Sequence, residues 1–119
     1  MKKRLALKGI SRKGELSMQK INLTEQIAFT PEKKNSFIVF DSDQARLALF
    51  CSEPGQGVEG CCSTSRVMMT VVEGEGVFTT KDGEVEAGPG SVIIWEPGEQ
   101  HGYRAKSRLV FLATIAPRP

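Results

Sequence analysis

At 119 residues and 13.0 kDa the chain has the size of one domain. Hydrophobic residues make up 39% and charged residues 25%, which excludes a disordered protein, and the 12 glycines lack the strict period that collagen needs. The longest apolar runs, Val92–Trp95 and Leu109–Ile115, are far too short to cross a bilayer as a helix.

The net charge of +2 is unevenly spread. Residues 1–17 hold six cations against Glu15, a net +5, and residues 18–119 carry −3. We therefore divide the chain into a basic N-terminal extension, 1–17, and a single domain, 18–119. No aromatic residue interleaves the basic ones, so the extension reads as a solvated arm rather than a nucleic-acid contact. Only Leu5-Ala6-Leu7 follows its first cations before Lys8 interrupts, too short for a signal-peptide core, and the expected location is cytoplasmic. Cys51, Cys61 and Cys62 are an odd number and are expected to be thiols rather than a disulfide framework.

Thr24–Ala28 is the one helical candidate, about one turn long, with Thr24 as a possible cap. Short strands follow. Ser36–Phe40 and Ala45–Cys51 are apolar and flank Asp41-Ser-Asp-Gln44, a hairpin loop. Glu53-Pro-Gly-Gln-Gly57 breaks the pattern, and Arg66–Val72 resumes it. Gly74-Glu-Gly76 turns the chain into Val77–Thr80. Lys81-Asp82-Gly83 then predicts a type I′ hairpin, because Asp-Gly supplies positive φ. Glu84–Glu86, Ser91–Trp95, His101–Arg104 and Arg108–Ile115 complete the series. Many short strands with almost no helical period predict an all-β sandwich or barrel.

Two spacings make the chain resemble a small single-domain cupin, a jelly-roll β-barrel. The first runs Gly55, five residues, Cys61-Cys62-Ser63, three residues, Val67, six residues, Gly74. The second runs Gly90, five residues, Glu96-Pro97-Gly98, two residues, His101, three residues, Ala105. The resemblance implies that Cys61, Ser63, Val67 and His101 stand where metal-bearing members place two histidines, a glutamate and a third histidine. Valine has no lone pair to donate and neutral serine is a poor ligand, so the expectation is a barrel without the usual metal. The alternative is Zn, Fe or Cu held by Cys61 and His101, with Cys51 or water completing the set. The resemblance also implies a homodimer, with Ser36–Phe40 or Met18–Phe29 as interface segments.

Strand alternation from these positions gives the candidate site. Cys61, Ser63, Val67, Met69, His101 and Tyr103 are expected to line the barrel mouth, with Phe78 and one of Ile94 and Trp95 completing the wall. Such a mainly apolar lining with a few polar handles is that of a small-molecule site. The expected function is binding of a small organic ligand, with Ser63, Val67, Met69, His101 and Tyr103 as contacts; neither a membrane nor a nucleic acid is the expected partner. Cys61 and His101 are the catalytic candidates of the alternative, a metal- or thiol-dependent oxygenase or isomerase. Cys62 and Met68 are read as packing, Glu73, Glu75, Glu84 and Glu86 as a solvated rim, and Glu96 as a residue able to reach the mouth.

Overall fold

The computed structural model describes residues 18–119; the basic extension lies outside the described residues. Nine strands form two antiparallel sheets of a jelly-roll barrel. They are β1 (Asn35–Asp41), β2 (Arg46–Ser52), β3 (Gly57–Cys61), β4 (Arg66–Glu73), β5 (Gly76–Thr80), β6 (Gly83–Ala87), β7 (Val92–Trp95), β8 (His101–Ala105) and β9 (Leu109–Ala116). One sheet has the order β1-β2-β9-β4-β7 and the other β3-β8-β5-β6. Among the described residues no helix is long and apolar enough to cross a membrane.

Both expected hairpins form, β1 with β2 and β5 with β6. The second turns differently from the expectation. Thr80 pairs with Gly83 across a two-residue loop, and no residue other than glycine has positive φ among the described ones, so the loop Lys81-Asp82 is not type I′. The helical candidate is a 3-10 turn, Leu23–Gln26, whose N-cap is Asn22 rather than Thr24.

Strand β3 lies where the sequence reads as a break. Its residues are glycine-rich and lack apolar alternation, and it is held by backbone pairing to β8. Gly57 is required there, because a side chain would collide with the Tyr103 carbonyl. Gly74 closes the first motif for a similar reason: its φ is +80°, and a Cβ would strike the carbonyl of Arg108.

Period-two alternation sorts the five-stranded sheet into two faces. The inner face packs Val67, Met69, Val71, Trp95, Phe111 and Ala113 against Phe78, Tyr103 and Ala105 of the other sheet. The outer face carries a second cluster, Leu49, Cys51 and Val110, covered by Leu23, Ile27 and Phe29 of the segment preceding β1. That segment is pinned by Gln56, whose amide donates to the Thr30 carbonyl at 3.0 Å, and by the Arg108 guanidinium lying 4.6 Å over the Phe29 ring.

Candidate functional site

The barrel interior is filled by side chains. Phe111 stacks on Phe50 at 4.8 Å and takes the edge of Tyr103 at 4.8 Å, and Phe78 joins them at 5.9 Å. Val67 and Met69, expected as ligand contacts, are 4% and 5% exposed within this cluster. Tyr103 is equally buried, and its hydroxyl lies 2.8 Å from the Ser52 hydroxyl, a closed polar pair. Burial pushes the Tyr103 phenol up to about 12, against the opposing pull of the Ser52 hydrogen bond.

At one end of the barrel the motif positions gather. His101 begins β8 and is the cross-strand partner of Cys61 on β3 and of Thr80 on β5. The structure therefore brings the two catalytic candidates together on adjacent strands. It does not enclose them: Cys61 lies exposed on an edge strand, after a bulge in which Gly60 takes φ +62°. Cys62 is exposed too, which overturns its reading as packing.

The Ser63 hydroxyl is used locally, accepting from the Ser65 N–H at 3.0 Å, and its carbonyl accepts from the Gly98 N–H at 2.7 Å. Ser65, which sequence reasoning missed, is buried and donates to the Pro117 carbonyl. Of the Ile94 and Trp95 pair, Trp95 turns inward and donates from Nε1 to the Thr79 carbonyl at 3.0 Å. Glu96 does not reach the mouth; it pairs with Arg66 at 2.8 Å at the surface.

The His101 ring sits 5.4 Å from the Trp95 ring. Its Nδ1 is buried and has no hydrogen-bond partner among the described residues. Such an atom loses its hydration without compensation, at a cost of about 1–3 kcal/mol. His101 also borders an open cavity of about 690 Å³ with Glu59, Thr79, Glu84, Gln100 and Arg104. A smaller hollow of about 270 Å³ lies between the free edges of the two sheets, walled by Phe78, Val85, Ile93 and Trp95. Of the cavity's other polar residues Glu84 reads in the sequence as part of a solvated rim, while Glu59 and Arg104 carried no signal there because they lie on β3 and its partner β8, a pairing with no pattern to read.

The residues at the metal position do not fit a metal. Val67 is buried apolar surface, Ser63 is bound to its own turn, and Cys61 is exposed. Cys51 cannot complete a set with His101, since it lies on the outer face of the five-stranded sheet with Leu49 and Val110. Burial there raises its thiol pKa. Among the described residues no three His, Cys, Asp or Glu side chains form a cation cage.

Residues 49–115 match the family described as cupin domain, more than half of the chain. The chain belongs to the cupin family. An RmlC-like cupin protein from Desulfovibrio desulfuricans superposes with a TM-score of 0.79 at 28% identity, over 84% of this chain and 97% of the other. TT1209 from Thermus thermophilus does so with a TM-score of 0.81 at 28% identity, over 86% and 100%. KdgF from Halomonas sp., at 15% identity, TM-score 0.73 and coverage of 83% and 94%, shares the fold alone. No curated protein matches the sequence. The positions at which the resemblance implies metal ligands hold Cys61, Ser63, Val67 and His101 in this cupin.

Proposed function

We propose that this cupin binds a small polar organic molecule at the His101 end of the barrel, without the usual metal. One observation carries the reading. The buried atom left without a partner, His101 Nδ1, belongs to a residue that also borders a 690 Å³ cavity. A ligand that hydrogen-bonds this nitrogen removes its desolvation cost and gains a fixed orientation. Gln100, Arg104, Thr79 and Glu84 supply further donors and acceptors around it. Of the contacts expected from sequence, His101 is the one retained in this role; Val67 and Met69 act as core, Tyr103 as a wall closed by Ser52, and Ser63 as a turn residue.

The test is a thermal-shift screen of small acids, sugars and aromatic alcohols on tag-free protein, beside His101→Leu. A compound that raises the Tm of the wild type and not of the variant supports the reading; equal shifts in both overturn it. Elemental analysis accompanies the screen. Near-stoichiometric Zn, Fe or Cu, lost in Cys61→Ser and in His101→Ala, would replace the proposal with a thiolate–imidazole metal centre.

The cross-strand register of Cys61 and His101 favours a second reading, a thiol-dependent enzyme. No hydrogen bond joins their side chains among the described residues. Alkylation of Cys61 by iodoacetamide that slows in His101→Ala would move this reading ahead of the first.

A further inference from the structure

The barrel has an unsealed side. Strands β6 and β7 end their respective sheets and do not pair with each other, so the two sheets part between them. Val85 on β6 faces inward: its cross-strand partner is Phe78, which pairs in turn with Tyr103, and both of these belong to the core. Phe78 and Tyr103 are 1% and 3% exposed, yet Val85 is 54% exposed. Ile93 on β7 stands on the facing interior row, as the partner of Met69. The exposure of an inward-facing valine marks the hollow of about 270 Å³ as a gap in the core, with Phe78 and Trp95 among its walls. Apolar surface left open at a concave site is binding surface, unlike the single exposed side chains scattered over any protein.

The rim gives the occupant a sign. Asp82, Glu84 and Glu99 border the hollow, and among the described residues no lining residue is a lysine, arginine or histidine. Glu99 is held in place there, its Oε1 accepting from the Glu96 N–H at 2.9 Å and its Oε2 from the Thr80 hydroxyl at 3.4 Å. Asp82 pairs with Lys81 at 3.4 Å, which leaves Glu84 and Glu99 to set the sign. Two aromatic rings in the wall suit an aromatic or branched aliphatic group, and an apolar cavity of about 150 Å³ already admits benzene. Carboxylates around the opening favour a positive charge at the outer end of that group. We propose that this hollow binds a small organic ammonium ion. Its apolar group lies against Val85, Ile93, Phe78 and Trp95, and its ammonium meets Glu84 and Glu99. The site is distinct from the one at the His101 end: Thr79, Thr80 and Glu84 border both hollows, but His101 does not line this one.

Trp95 is the chain's one tryptophan, so its fluorescence reports on this hollow directly. The full chain is titrated with three probes of similar shape: phenethylammonium, phenethyl alcohol and hydrocinnamate. The ammonium is expected to bind roughly fivefold more tightly than the alcohol, and the carboxylate more weakly than either. Glu84→Gln combined with Glu99→Gln should bring ammonium and alcohol to within about twofold of each other. Val85→Phe fills the hollow and should abolish the response to all three, with circular dichroism unchanged because the replaced side chain is half-exposed. His101→Leu should respond as the wild type does, so this proposal and the one at His101 fail separately. No response at millimolar probe, equal affinity for the three, or binding that survives Val85→Phe overturns the proposal. Loss of binding in His101→Leu overturns it too, because the probes would then occupy the other cavity. Displacement of phenethylammonium by a synthetic peptide of residues 1–17, net +5, would make the chain's own extension the occupant and would equally overturn it.

Discussion

Tyr103 and His101 stand two residues apart on β8 and face the same barrel, yet their polar atoms have opposite fates. The Tyr103 hydroxyl closes on Ser52 at 2.8 Å beneath a layer of aromatic rings. His101 Nδ1 is buried against Trp95 with no side chain or backbone group to bond. The tyrosine hydroxyl is satisfied within the barrel, and the histidine nitrogen has no partner among the described residues. Tyr103 and His101 border the same cavity, so the proposed binding site rests on this difference in hydrogen bonding and not on the motif spacing, which assigns both residues to one pocket.

The largest expected effect comes from emptying the self-satisfied half. Phe111 is fully buried and contacts Phe50, Phe78 and Tyr103. Phe111→Ala should cost about 3–5 kcal/mol, read from urea unfolding, through lost burial and the cavity left behind. Binding at the His101 end should survive in whatever fraction remains folded. A loss below about 1 kcal/mol would show that the interior is looser than its stacked rings imply.

A smaller effect tests the Ser52–Tyr103 pair and its pH dependence together. The folded phenol titrates at about 12 against an ordinary 10, so between these values the unfolded chain loses its proton first. Stability is therefore fully present below pH 10 and declines as pH rises toward 12, by about 2–3 kcal/mol. Tyr103→Phe should remove this alkaline decline. At neutral pH it should cost about 1–3 kcal/mol, since the buried Ser52 hydroxyl is left alone, and Ser52→Ala in the same background should recover most of that. An alkaline limb unchanged in Tyr103→Phe would break the assignment.

The fold was legible because this chain punctuates its strands with glycine and proline and alternates its apolar residues. Eight of the nine strands were anticipated within a few residues. The exception, β3, has no pattern to read; it exists because Gly57 lets its backbone pass under the Tyr103 carbonyl. The site was legible in part. Motif spacing placed Cys61 beside His101, and the register agrees. The bulge at Gly60 that leaves Cys61 exposed depends on backbone torsions a spacing cannot carry. Parity also left Ile94 and Trp95 undecided, and only the pairing of Trp95 with the buried Val67 turns the indole inward.

The smallest expected effect is also the one with the unusual sign. Replacing a half-buried histidine that packs on a core ring normally destabilises, through lost packing and hydrogen bonds. Here Nδ1 has no bond to lose, and leucine offers similar bulk against Trp95. His101→Leu should therefore leave stability unchanged or raise it by about 1 kcal/mol, while abolishing the ligand-dependent Tm shift. The two readouts separate the roles of the residue. A histidine that merely packs would lose stability and leave ligand shifts in place. A destabilisation above about 1 kcal/mol would mean that Nδ1 is satisfied in the free protein, for instance through an ordered water. The His101 end of the barrel would then be a hydration site rather than a ligand site.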